Sequence, residues 1–453
     1  MTQSGEKVRA LIRRRLGLAL LLLAWFFTSL PACHAYSLLT HEQIVDVLWQ
    51  DQIQPLLLKR YPGASQEQLR HAHAYAYGGS LVQDIGYYPF GNQFFSDLTH
   101  YVRTGDFVAN LIHESVDLDQ YAFALGALTH YSSDDCGHPF VNHATALVFP
   151  KLRAKFGETV TYDQSPKAHI QTEFGFDITQ VAKHRYTSDR YHDFIGFEVS
   201  RPVLERAFAR TYGLPLEEVL GPLDLAIGTF RHAVSAVIPQ MTRAALTAYH
   251  PELVKETPNF NKHLFLYNLS RVQYEKEWGK EYRKPGFFAR VLGLAVRLMP
   301  KVGPFRALAF KLPTPQTEDL YLKSVNATVE DCRKLLRQIA NGNLQFPDTD
   351  CDTGRPVRPG EYPLADKTYA RLLDRLIKSG QTNALPDLRA NILKFYASTQ
   401  PSARTAKERR ARQRIATELR ALEAGPNSPL AAEIRQRVLA PPFSLRSPKA
   451  TDP

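Results

Sequence analysis

The chain has 453 residues, 44% of them hydrophobic, and a formal net charge of +11. Of that charge, +4 belongs to residues 1–35, where Lys7, Arg9, Arg13, Arg14 and Arg15 stand against Glu6; the +7 on the remainder suits an anionic lipid or phosphate-bearing partner without requiring one. Four cysteines at no zinc-site spacing, and no internal repeat or collagen-like or glutamine-rich tract, exclude a cysteine zinc module and a fibrous chain.

Residues 1–35 read as a signal peptide or signal anchor. Arg13, Arg14 and Arg15 precede the apolar run 16–27, which is short for a bilayer span, and Pro31 and small residues follow it. Cleavage after Ala35 and lipidation at Cys33 are both open, and the paired arginines also permit twin-arginine export. The expected location is therefore exported: periplasmic, membrane-anchored or secreted. In an oxidising compartment Cys332 and Cys351 are the pair free to join, with Cys136 left over.

About 420 residues after that segment exceed what one core normally organises, so two domains are expected. The first, 36–250, reads as helical at 42–59 behind Thr40 as a possible N-cap, then at 65–76, 118–134, 178–184, 203–212 and 223–249. Alternating β-type runs are scarce, which makes the fold all-α. The second, 251–453, reads as a helical C-terminal region. Its stretch 286–312 is apolar and basic (Arg290, Arg297, Lys301, Arg306, Lys311), and either lies in a membrane interface or forms a core helix with a basic edge. Residues 342–363, rich in Pro, Gly and Asp, read as a loop. Residues 403–424 read as a solvated basic helix, for which nucleic acid is not the expected partner.

The chemistry concentrates in 122–143. His130, Asp134 and His138 stand four residues apart, a step that drifts by only about 40° around an α-helix, so they share one face. Imidazoles and a carboxylate so placed suit a zinc ion, though a hydrogen-bonded core histidine with two exposed neighbours accounts for the triple equally well. His169 and Glu173 repeat the four-residue spacing. Asp84 closes a helix beside an aromatic, Pro-bearing turn, His100 follows, and His41 opens the first helix. His71 and His73 alternate and cannot face one ion together; His143 and Asp135 are candidates to orient ligands; His184, His192 and Asp193 read as structural or surface residues.

In this order the residues resemble the zinc-dependent phospholipase C family. That family includes bacterial phosphatidylcholine-hydrolysing enzymes and the N-terminal domain of mammalian glycosylphosphatidylinositol-specific phospholipase D; the S1/P1 nucleases share its fold and trinuclear zinc cluster. The resemblance runs from about residue 37 to 177, and at most to the helices near 249. It implies a multi-helix domain holding two or three zinc ions: one on Asp84, His100, His130 and Asp134, a second on His138, His169 and Glu173, and a third on His41 with Asp134 bridging. The spacing of His130, Asp134 and His138 is closest to the glycosylphosphatidylinositol branch.

The chain departs from the family in two places. It has no Trp near Tyr36 to supply an N-terminal ligand, which weakens the third site, and Pro139 directly after His138 places His138 at the last turn of its helix. The implied function is a zinc-dependent phosphodiester hydrolase of phospholipid headgroups at a membrane surface, with Asp84 orienting or deprotonating water. Tyr75, Tyr77, Tyr87, Tyr88, Phe90, Phe94 and Phe95 either line a headgroup cleft or belong to the core. The alternatives are a nuclease on the same scaffold, which Glu173 in place of Asp argues against, and a catalytically silent membrane-associated interaction protein working through 286–312.

Overall fold

A computed structural model describes residues 38–183, 185–186, 195–239, 241–242, 245–246, 310–380, 385–397 and 405–425. The expected targeting segment, residues 286–309 of the amphipathic stretch, His184, His192 and Asp193 lie outside these residues.

Helix α1 (Leu38–Leu48) passes through a π-helical turn (Trp49–Ile53) into α2 (Gln54–Arg60). Helix α3 (Gln66–Gly79) opens at a capping box: the Ser65 hydroxyl accepts from Gln68 N–H, and the Gln68 side chain accepts the Ser65 N–H. A 3₁₀ turn (Val82–Tyr87), α4 (Gln93–Tyr101) and α5 (Thr104–Glu114) lead to α6 (Leu118–Val148). Then come α7 (Pro150–Phe156), α8 (Pro166–Ala182), α9 (Arg201–Tyr212), α10 (Leu216–Leu220) and α11 (Leu223–His232). Beyond residue 310 follow α12 (Pro315–Ala340), a short antiparallel pair of β1 (Thr349–Asp350) and β2 (Arg355–Pro356), α13 (Pro363–Ser379), α14 (Pro386–Ala397) and α15 (Ala406–Ala424). Among the described residues those two-residue strands are the only sheet, and the fold is all-α.

Helix α6 is the axis of the bundle. Asp117 caps it by accepting from Gln120 N–H, and residues 120–134 are all buried: the apolar run 121–128 and, beyond it, the polar His130, Ser132, Ser133 and Asp134. Helices α1, α3, α5, α8 and α12 pack around it. The α3 contact needs two glycines: a Cβ on Gly79 would meet Phe123 O at 1.9 Å, and one on Gly126 would meet Ala76 O at 2.0 Å. Helix α12 begins at a Thr314 capping box and buries Tyr321, Leu322, Val325, Val329, Cys332, Leu335, Leu336 and Ile339 at helical spacing. These side chains belong to the same hydrophobic cluster as α1–α6 and α9–α11. The domain boundary expected near residue 250 falls outside the described residues, and helices on both sides of it share one core.

Several local expectations are corrected. Thr40 is no N-cap: it lies inside α1, and its hydroxyl bonds Asp177 Oδ1, Tyr186 and Tyr321. His138 is not at a helix end, because α6 runs past Pro139 to Val148. Proline there deprives the Asp135 carbonyl of its helical donor. Gly354, at φ +66°, packs against that carbonyl, where a Cβ would come within 2.5 Å of the oxygen. The three described cysteines are free thiols. Cys332 faces Ser132 and Cys136 across α12 and α6, whereas Cys351 lies beside His100 and His138, so the expected Cys332–Cys351 pair is not formed. Of the amphipathic stretch, Phe310 packs edge-on to Phe174 and the Lys311 carbonyl rests on Gly175, both against α8. Helix α15 is solvated on its basic face and buries Glu418, Ala421 and Leu422.

Candidate metal centre

Eight side chains from five elements converge beside α6. That helix presents His130, Asp134 and His138; α8 presents His169 and Glu173; the 3₁₀ turn brings Asp84, α4 brings His100 and α1 brings His41. None of the eight is more than 3% exposed. Every residue the sequence singled out for metal binding is therefore in one place. They fall into three groups whose donor atoms lie within 4.8 Å of one another: His41, His130 and Asp134; Asp84, His100 and His130; and His138, His169 and Glu173.

Asp134 stands between the first two groups. Its Oδ2 is 3.1 Å from His100 Nε2 and 3.2 Å from His130 Nε2, and its Oδ1 is 3.7 Å from His41 Nε2. Asp84 Oδ1 lies 3.5 Å from His100 Nε2. In the third group Glu173 Oε1 is 2.6 Å from His169 Nε2 and 3.7 Å from His138 Nε2.

The backbone fixes which ring nitrogen faces inward. His100 Nδ1 donates to Ser96 O at 2.7 Å, His130 Nδ1 to Ser80 O at 2.8 Å, and His138 Nδ1 to Cys351 O at 2.6 Å. The close approach at Gly79 and Gly126 is what brings Ser80 O to His130. Each ring therefore turns Nε2 toward the cluster, and His100 Nε2 and His130 Nε2 face each other at 3.3 Å. A proton on one of the two rings, or a shared cation, can bridge that gap. Helix α8 carries the arrangement one turn further: Asp177 accepts from Leu39 N–H at 2.9 Å and from the Thr40 hydroxyl, which sets α1 and hence His41. The His41 ring stacks on His130 with centroids 4.4 Å apart.

Burial sets the electrostatics of the metal-free chain. It lowers His41 and His169 well below the usual imidazole value, raises Glu173 well above the carboxylate range and lifts Asp84 to about 7. Burial also opposes charge on His130 and His100, but Asp134 and Asp84 outweigh it, so His130 rises to about 9 and His100 is raised as well. Asp134 is held well below its usual value because His130, His138 and His100 overcome its burial.

The donor set fits zinc. Both oxygens of Asp84 and Nε2 of His138 are buried without a hydrogen bond, a costly arrangement that a cation would relieve. Donors bound tetrahedrally to zinc at 2.0–2.1 Å stand about 3.3 Å apart, and the separations around Asp134 are 3.1–3.7 Å.

Other sequence expectations fare differently. His71 pairs with Asp119 at the surface, and buried His73 bonds Asp46 and stacks on Trp49; neither belongs to the cluster. Among the described residues His143 and Asp135 make no hydrogen bond to a candidate ligand; main-chain carbonyls take that role. Tyr77, Phe94 and Phe95 are core, Phe90 is exposed, and the Tyr87 ring pairs with that of a candidate ligand, His100. The residues missed are Asp177, Asp352, Tyr162 and Tyr362. Asp177 had a signal, one more four-residue step after His169 and Glu173; Asp352 showed only as part of an acidic loop.

Residues 40–221 match the model of a family described as zinc dependent phospholipase C. No curated protein and no solved structure matches the chain.

Proposed function

Residues 40–221 belong to the zinc-dependent phospholipase C family, and from that premise we propose that the chain is a phosphoric diester hydrolase that acts on phospholipid headgroups. The observation carrying this reading is the orientation of His100, His130 and His138, each turned by a backbone carbonyl so that Nε2 meets buried carboxylates. His41, Asp84, His100, His130, Asp134, His138, His169 and Glu173 hold two or three zinc ions. Zinc supplies charge for the phosphodiester and lowers the pKa of water toward neutrality.

The protein's own groups do the rest. Asp84, buried on the 3₁₀ turn with Oδ1 3.5 Å from His100 Nε2, orients the attacking water and takes its proton. Water oxygen bonds to phosphorus, the bond from phosphorus to the glycerol oxygen breaks, and that oxygen receives a proton. The products are diacylglycerol and a phosphorylated headgroup.

The test combines elemental analysis with hydrolysis of phosphatidylcholine vesicles and of single-stranded DNA. Two or three zinc ions per chain, with phosphocholine released by the protein and Asp84→Asn reduced at least a hundredfold, is the expected result. Zinc with hydrolysis of DNA alone would make it a nuclease. A chain that takes up no zinc would leave a membrane-associated protein without this chemistry.

A further inference from the structure

Residues 346–362 lie outside the stretch that matches the family, yet they close over the cluster. Pro347 O accepts from the Tyr131 hydroxyl at 2.8 Å, Asp348 Oδ1 accepts from Gly105 N–H at 3.1 Å, and Thr349 and Thr104 exchange two bonds of 3.0 Å. Fastened in this way to α5 and α6, the segment delivers Cys351. Its N–H donates to His100 O at 3.1 Å, and its carbonyl accepts from His138 Nδ1. One residue's backbone thus touches candidate ligands of two different groups.

Asp352 holds that backbone in place. It is 1% exposed, and its Oδ2 accepts from Tyr162 N–H at 3.1 Å and from the Tyr362 hydroxyl. Its carbonyl accepts from Asn142 Nδ2 at 2.7 Å, one turn beyond His138 on α6. The acidic run from Asp348 to Asp352 has the spacing of a cation loop, but its carboxylates face protein donors: Asp348 meets Gly105 and Asp106, Asp350 meets Asp352 N–H and Thr353, and Asp352 meets the tyrosines. They act as staples.

We propose that Asp352 is a positioning residue of the zinc centre, anchoring the Cys351 carbonyl so that His138 points Nε2 at His169 and Glu173. The need for it is local. His138 precedes a proline that removes a helical hydrogen bond, and its buried Nδ1–H needs an acceptor to hold the ring's orientation. Losing such an outer partner typically costs about 10–100-fold in metal affinity.

This inference rests on the zinc reading, and the experiment separates the two. Zinc affinities of the full chain are measured by chelator competition, with far-UV circular dichroism as the check on folding. Asp352→Ala should weaken one ion by about 10–100-fold while the others stay as in the wild type. The weakened ion should be the one lost in Glu173→Ala, so that the double variant loses no further ion. Asp352→Asn, whose amide oxygen accepts the same two bonds but which no longer sets a carboxylate oxygen 3.6 Å from His138 Nδ1, should weaken the same ion by clearly less than Asp352→Ala. Overturning results are wild-type affinity in Asp352→Ala, equal weakening of every ion, or Asp352→Asn as weak as Asp352→Ala. Should Asp352→Ala fail to fold, Tyr362→Phe decides: a smaller loss confined to the same ion supports the proposal, and wild-type affinity overturns it. A wild-type chain that binds no zinc removes the zinc reading and this inference with it, whereas a zinc-binding wild type with an indifferent Asp352→Ala removes this inference alone.

Discussion

Because His100, His130 and His138 give Nδ1–H to main-chain carbonyls, their Nε2 atoms have only a proton or a cation to meet inside the cluster. The metal-free chain meets part of that demand with protons: His130 titrates at about 9 and is charged at neutral pH. Zinc entering that group displaces the proton, so affinity should climb with pH, by up to about tenfold per unit for each proton released. Chelator competition between about pH 6 and 8 would show the slope, and a flat profile would count against His130 as a ligand. The stability of the metal-free fold has the opposite sign. The raised His130 contributes fully below its unfolded value of 6.5, and its contribution is lost as pH rises through about 9. The raised Asp84 likewise loses its contribution between 3.8 and about 7. Chelator-treated protein should therefore melt at lower temperature on going from neutral to alkaline pH, and zinc-loaded protein much less. The expectation is read by thermal unfolding with and without chelator.

At the scale of elements, the site depends on how closely α3 approaches α6. Gly126→Ala would drive a Cβ to 2.0 Å from Ala76 O, a backbone atom with no rotamer to yield, and would shift Ser80 O away from His130. A destabilisation of about 1–3 kcal/mol is expected from overpacking of this kind, read as a lower denaturant midpoint together with weaker zinc binding. The same contact shows what the sequence could convey. Five of the candidate ligands, His130, Asp134, His138, His169 and Glu173, were legible because a metal site built on helices leaves residue types at four-residue steps; Asp84, His100 and His41 share no such step and came only from the family resemblance. The acceptors that aim the ligands were not legible, because Ser80, Ser96 and Cys351 act through carbonyls that any residue possesses. Thr40, which looked like a cap, is bonded instead to Asp177 from another helix. Pro139 suggested a helix end; the helix continues, with Gly354, distant in sequence, packed against the freed carbonyl.

At the scale of the whole molecule, the family stretch and the C-terminal region share one core and one centre. Helix α12 buries eight apolar side chains against α6 and its neighbours. At about 1.5–3 kcal/mol each, their contribution exceeds 10 kcal/mol and is comparable with the entire stability of an ordinary domain, about 5–15 kcal/mol. Removing residues 251–453 would uncover that surface and also take away the Cys351 carbonyl that orients His138. The fragment 36–250 is therefore expected to show no cooperative thermal transition, to be cleaved rapidly by protease, and to hold zinc weakly at the group of His138, His169 and Glu173. Co-expressing residues 310–425 as a separate chain should restore the transition, because the contact surface is apolar and preformed along one helix. A fragment 36–250 that unfolds cooperatively and binds zinc as the full chain does would show instead that the family stretch folds alone and that α12 covers a finished core.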